Sequence, residues 1–182
     1  MKELSLSVLD LAQNAITAGA KHIDISLLES LREDSLRILI GDDGCGMSPE
    51  LLARVTDPFT TTRTTRRVGM GIPLMKLAAE AAGGGLTIDS APGKGTRLEA
   101  SFRLSSIDRP PVGDMAATVT ALIQGAPERC FRYLRRTDGG EFRLSTDEVR
   151  ETLGEVGITE PEVLAWLRDY ILEGEAALGA AI

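Results

Sequence analysis

The sequence is short of the residues that several kinds of protein depend on. It has two cysteines, Cys45 and Cys130. That is too few for a disulfide framework and fits a reducing compartment better than a secreted one. It has one histidine, His22, on the polar side of an expected strand, where nothing presents the ring as a phosphoacceptor. Autophosphorylation within one chain is therefore not expected. Positive charge is also scarce: 20 Lys and Arg stand against 27 Asp and Glu, for a net charge of -7. General attraction to nucleic-acid phosphate or to an anionic membrane is disfavoured by that balance. No apolar run is long enough to span a bilayer. Asp10 and polar residues interrupt the start of the chain, where a secretory leader needs an unbroken apolar stretch. A cytoplasmic location without membrane attachment is the expectation. No internal repeat or low-complexity tract occurs.

What is present reads as an alternation of helices and strands, in 182 residues that suffice for one domain, or a domain plus an appendage. Leu4, Val8, Leu11, Ala12 and Ala15 recur at helical spacing and predict an amphipathic helix from about Glu3 to Ala18, stopped by Gly19. Ile23, Ile25 and Leu27 alternate with His22, Asp24 and Ser26 as in a half-buried strand, and a second strand runs from Leu36 to Ile40. Ser48 can cap a short helix. The stretch from Asp57 to Gly71, rich in threonine and arginine, has too little apolar side chain for a core element and reads as a mobile loop. A helix from Ile72 to Ala82 follows, then strands at Leu86–Asp89 and Thr96–Leu104 around the turn APGKG. IDRPP marks a boundary. Beyond it come a helix capped by Asp114, two strands around Asp138-Gly139-Gly140, and two closing helices. Thr159 and Glu162 form a capping-box pattern for the last helix.

Four short pieces carry chemistry. Asp10 and Asn14 lie four apart and so share a helix face, a carboxylate able to take a proton beside an amide oxygen able to bind Mg²⁺. Asp42-x-Gly44-x-Gly46 follows a strand. Its carboxylate can accept from an exocyclic amine, and its glycines let backbone approach a flat ring. The loop with Arg63, Arg66 and Arg67 ends in Gly69-Met70-Gly71 directly before a helix, whose N-terminal N–H groups suit phosphate. Gly93-Lys94-Gly95-Thr96 precedes a strand. Taken singly, these also read as a solvated helix face, a turn, a surface loop and a hairpin turn.

Taken in order, they resemble the GHKL superfamily, the ATPases of gyrase, the large heat-shock chaperone, histidine kinases and mismatch-repair proteins. The resemblance covers residues from about 1 to 104. QNAITAGAKHIDI is similar to the mismatch-repair and gyrase branch. Asp57-Pro58-Phe59 and Gly69-Met70-Gly71-Ile72-Pro73-Leu74 are similar to the histidine-kinase branch. The chain also resembles a group of stand-alone histidine-kinase-like ATP-binding proteins. The resemblance implies an α+β fold, a two-layer sandwich with a mixed, mostly antiparallel sheet and helices on one face (the Bergerat ATP-binding fold). That division gives an ATPase domain at residues 1–106 and a small C-terminal α/β extension at 107–182. It further implies ATP and Mg²⁺ as cofactors. The implied nucleotide set is Asn14, also the Mg²⁺ ligand, with Asp42, Gly44, Gly46, Met47, Phe59, Thr62, Arg63, Gly69, Met70, Gly71 and Thr96. Asp42 would read the adenine amine.

Asp10 stands where hydrolysing branches carry glutamate, and its shorter side chain predicts slow hydrolysis if it is the general base. Cys45 reads as a small packing residue. Arg129, Arg132, Arg135 and Arg136 cluster with Phe131 and Tyr133, yet in an acidic chain such arginines are usually solvated or paired, so nucleic acid is not the expected ligand. The apolar residues of the last helix read mainly as core. The leading expectation is a Mg-ATP-binding switch, or a kinase acting on an unidentified protein partner. The alternatives are a slow ATPase that forms a homodimer on ATP, and a non-catalytic interaction module.

Overall fold

A computed structural model describes residues 3–56 and 71–179. α1 (Leu4–Thr17) buries Leu4, Val8, Leu11, Ala12 and Ala15, the stripe that its spacing predicts. In β1 (His22–Ser30), Ile23, Ile25, Leu27 and Glu29 are buried while His22 and Asp24 face water. Such alternation arises in a strand packed on one face only. β2 (Ser35–Asp42) repeats it with Leu36, Ile38 and Ile40. After the short α2 (Pro49–Leu52), capped by Ser48 as expected, and α3 (Gly71–Ala81), the hairpin of β3 (Gly85–Ser90) and β4 (Thr96–Arg103) turns Leu98, Ala100 and Phe102 inward. α4 (Met115–Gly125) starts at Asp114, whose carboxylate accepts from the Ala117 N–H at 2.7 Å. β5 (Cys130–Thr137), β6 (Gly140–Ser145), α5 (Thr146–Leu153) and α6 (Pro161–Ala177) complete the chain.

The six strands form one sheet in the order β3-β4-β2-β1-β5-β6. All neighbours are antiparallel except β1 and β5. α3 packs on β3 and β4, α1 on β1 and β2, and α6 on β6, with α1 touching α3 and α4, and α4 touching α6. The result is the two-layer α+β sandwich that the resemblance implies. Among the described residues no helix is long and apolar enough to cross a membrane.

The residues after Ile107 share the sheet and the core with those before it. β5 pairs with β1 from His22 to Leu28. The Asp138 carboxylate, in the β5–β6 turn, accepts from the Ser30 hydroxyl and from the N–H groups of Leu31 and Arg32. Arg135 reaches Glu29 at 2.7 Å, with 2% and 3% of their side chains exposed. The other three clustered arginines also meet carboxylates: Arg129 with Glu128, Arg132 with Asp24, and Arg136 with Glu141.

Two features differ from the sequence reading. α6 does not use Thr159 and Glu162 as a capping box. Its N-cap is Glu160, without a side-chain cap, and Pro161 opens the helix. Proline at that position has the right φ and no N–H to satisfy, so the box is unnecessary. The apolar residues of α6 also divide by helical period. Val163, Leu167 and Ile171 enter the core, while Trp166 and Tyr170 stay at the surface, stacked with ring centroids 5.2 Å apart.

The Glu29–Arg135 pair is buried between β1 and β5, and removing one member of such a pair leaves a buried charge without its main counter-charge. Glu29→Gln or Arg135→Met alone is expected to lower the unfolding free energy by about 3–5 kcal/mol. The double replacement Glu29→Leu/Arg135→Met should recover much of that loss. Urea denaturation of the three variants reads the difference.

Candidate functional site

Asp42 is the last residue of β2 and stands opposite Thr96 in the register with β4. Beyond it the chain turns back on itself. The Gly44 N–H donates to Asp42 Oδ1 at 2.8 Å. The Cys45 N–H donates to the Ala18 carbonyl at 3.0 Å, and the Gly93 N–H to the Cys45 carbonyl at 2.8 Å. The loop is thus joined to the end of α1 on one side and to the β3–β4 turn on the other.

Its contact with that turn is backbone against backbone. At Gly46 (φ +66°) a Cβ would lie 2.0 Å from the Ala91 carbonyl oxygen, and at Gly95 (φ +75°) it would lie 1.9 Å from that of Asp42. Sequence reasoning gives Gly46 to the approach of a flat ring. Gly46 lines the cavity under α1, and on the side where a Cβ would stand the Ala91 carbonyl fills the space, so glycine is also required there by the protein's own turn. Ser90, which the sequence reading missed, completes the clamp. Its hydroxyl oxygen accepts from the Met47 N–H at 2.9 Å and lies 3.0 Å from Thr96 Oγ1, and its O–H donates to the Gly95 carbonyl at 2.8 Å.

Under α1 this arrangement leaves a cavity of about 190 Å³ lined by Asn14, Asp42, Met47 and Thr96, with Leu11, Ile40, Val55, Ile72 and Leu98 among its apolar walls. Cys45 also lines it and is exposed, so it is not the packing residue that its size suggests. Asp10, one helical turn before Asn14, is exposed and does not line the cavity. Gly71 is buried against it, since a Cβ there would lie 3.2 Å from the Asp10 Cβ. Phe59, Thr62, Arg63, Gly69 and Met70 lie outside the described residues.

A larger groove of about 770 Å³ opens on the other side of the sheet beside His22, Asp24, Lys94, Arg97 and Arg132. Its rim is charged, and its lining is mostly polar, with Leu39, Ile40 and Ala91 as the apolar exceptions. A few convergent polar groups in an apolar pocket are the usual form of a small-molecule site, and the smaller cavity has that form.

Burial pushes the Asp42 carboxyl above its usual range, while the N–H groups of Gly44 and Thr96 pull it back without cancelling the effect. At Asp43 burial acts the same way, but hydrogen bonds from the His22 N–H, the His22 ring and the Lys21 N–H outweigh it and bring the carboxyl down to about 2.

An apolar-walled cavity bounded by a helix, a strand-end aspartate and a glycine loop on a one-sided mixed sheet is the arrangement of a small-molecule-binding α+β fold. Residues 2–106 match the model of the histidine kinase-, DNA gyrase B- and HSP90-like ATPases, and the chain belongs to that family. Sensor protein kinase FleS of Pseudomonas aeruginosa is 42% identical over 90 residues, which cover 50% of this chain and 22% of FleS. Histidine protein kinase DivJ of Caulobacter vibrioides is 31% identical over 123 residues, covering 65% of this chain and 20% of DivJ. The chain thus spans about a fifth of the length of these relatives. A crystal structure of the N-terminal domain of a DNA repair protein superposes with a TM-score of 0.56 at 17% identity, covering 87% of this chain and 59% of that one.

The raised carboxyl sets a sign. The folded state holds the Asp42 proton more tightly than the unfolded chain does, so the charged group opposes folding once the pH exceeds its folded value. Asp42→Asn is therefore expected to raise the midpoint of thermal unfolding at pH 7 and to lose that advantage as pH falls toward the ordinary carboxylate range. Gly46→Ala should act oppositely, destabilising by at least about 1–3 kcal/mol at any pH because a side chain is forced into left-handed backbone. Thermal and urea unfolding of both variants across pH check the pair.

Proposed function

We propose that this chain binds ATP with Mg²⁺ in the cavity under α1 and uses the nucleotide to switch, or to phosphorylate, a protein partner. The observation that carries this reading is Asp42, half-buried at the end of an apolar-walled cavity with Thr96 beside it. Its carboxylate would accept from the exocyclic amine of adenine. Guanine presents an oxygen at that edge, which would leave the acceptor unpaired and repelled.

Asn14 fits the metal role. It lines the cavity from α1 and offers an amide oxygen without adding charge. When bound, Mg²⁺ would offset the phosphate charge. Gly71, the first described residue of α3, lies beside Asp10, and Ile72 after it lines the cavity, which would bring the start of this helix near the phosphates. The likeness to sensor kinases favours a kinase or switch over other activities of the family. His22 is the one histidine of the chain. It lies on the other side of the sheet from the cavity, hydrogen-bonded to Asp43, so it is not placed to receive a transferred phosphoryl group. Asp10, outside the cavity lining and one methylene shorter than glutamate, supports only slow hydrolysis.

Calorimetry in Mg²⁺ is expected to show ATP and ADP binding, with GTP markedly weaker. A hydrogen bond to a charged group contributes about 1.5–3 kcal/mol, so Asp42→Asn should weaken ATP by roughly 10- to 100-fold. Equal affinity for ATP and GTP, or an Asp42→Asn variant that binds like wild type, overturns the reading. Movement of labelled γ-phosphate onto a co-purified protein separates a kinase from a switch.

A further inference from the structure

His22, Cys130 and Asp147 come from β1, β5 and the first turn of α5, and none of them lines the cavity under α1. A ligand-capable atom of each lies within 4.8 Å of the others. The fold explains the meeting. Parallel pairing sets His22 beside Cys130, and β6 runs directly into α5, which returns to pack on β5. Cys130 is buried, with its thiol 2.7 Å from Asp147 Oδ2. Arg150 holds the other carboxylate oxygen, Oδ1, at 2.9 Å, leaving Oδ2 to the thiol.

The fourth participant is Asp43. Its Oδ1 accepts from the N–H groups of Lys21 and His22, and its Oδ2 lies 2.7 Å from His22 Nδ1. A carboxylate fixed in this way keeps a proton on Nδ1 and leaves the lone pair of the ring on Nε2. A carboxylate behind a histidine is the usual outer partner of a metal-ligating imidazole.

We propose that His22, Cys130 and Asp147 bind a zinc-class divalent cation, with Asp43 orienting the His22 ring. A thiolate, an imidazole and a carboxylate form a mixed soft set that suits Zn²⁺, whereas Mg²⁺ and Ca²⁺ prefer oxygen alone. Three protein ligands leave one tetrahedral position for water. At zinc–ligand distances of about 2.0–2.3 Å, tetrahedral ligands lie roughly 3.4 Å apart. The thiol and the carboxylate need only part by less than about 1 Å while the wider contacts close in. The thiol proton that now points at Asp147 leaves to solvent as the cation takes its place. The site does not depend on the nucleotide reading, and it ties together β1, the loop after β2, β5 and α5.

The test is titration of the metal-stripped full chain, without nucleotide, with Co²⁺ followed by Zn²⁺. The expected result is one equivalent of Co²⁺ giving a near-ultraviolet thiolate-to-cobalt band that Zn²⁺ abolishes. Cys130→Ser should lose the band, while Cys45→Ser, at the other thiol, should keep it. Asp43→Asn should keep the band but weaken affinity by about 10- to 100-fold. Zn²⁺ should raise the unfolding temperature of wild type by mass action, and not that of Cys130→Ser. If Cys130→Ser fails to fold, His22→Gln at its exposed position should show the same loss of affinity. Absence of a thiolate band, its persistence in Cys130→Ser, its dependence on Cys45, or unweakened binding in His22→Gln overturns the site. Unchanged affinity in Asp43→Asn overturns the orienting role.

Discussion

Two stretches of backbone touch with no side chain between them, and the site is built on that contact. The loop after β2 lies on the turn between β3 and β4 because Gly46 leaves room for the Ala91 carbonyl and Gly95 leaves room for that of Asp42. Two further bonds, from the Gly93 N–H to the Cys45 carbonyl and from the Met47 N–H to the Ser90 hydroxyl oxygen, hold the two together. The consequence is positional. Asp42 cannot retreat toward water, because its own carbonyl is pressed against Gly95. Its carboxylate therefore stays at the edge of an apolar cavity and bears a desolvation cost that the N–H groups of Gly44 and Thr96 only partly offset. A residue that costs stability where it stands is a common mark of a site kept for binding.

Much of this was legible in the sequence because it is local. The period-2 runs around Ile25, Ile38 and Ala100 and the stripe from Leu4 to Ala15 name their own buried faces. Asn14, Asp42 and Thr96 were found as members of ordered motifs, and they meet at one cavity. What was not legible depends on distant pairing. Ser90 matters only because Met47, 43 positions away, donates to it. The spacing of Trp166 and Tyr170 fits a core stripe as well as a surface one until the neighbours of α6 are known. The start of α6 was misread for a related reason. Two local signals competed, and the proline at Pro161 prevailed over the capping box.

The residues beyond Ile107 make their contribution through β1. Without β5, β1 would present a row of unpaired backbone groups along one side, the exposed edge that proteins usually cover. Glu29 would also keep its buried position without the Arg135 guanidinium that faces it. Tyr133, on the same inward side of β5, donates its hydroxyl to Glu175 of α6, and burial raises both groups above their usual ranges. One strand thus brings a buried ion pair, a buried tyrosine and a paired edge to the part of the chain that carries the family motifs.

The two acids that follow Gly41 show how a strand end can serve two sides of a sheet. Successive residues of an extended chain point to opposite faces. Asp42 accordingly reaches the cavity beneath α1, while Asp43 turns to His22 and the outer surface. Asp42 carries a raised pKa and Asp43 a lowered one, although they are neighbours. Burial pushes both upward, but Asp42 is the more deeply buried, and their donors differ as well. Asp42 receives N–H groups from the loop and from β4, whereas Asp43 receives two backbone N–H groups and the imidazole. The group left under-supplied faces the cavity under α1, where its carboxylate keeps unused acceptor capacity. The well-supplied one is held fixed, which suits a residue whose task is to aim another side chain.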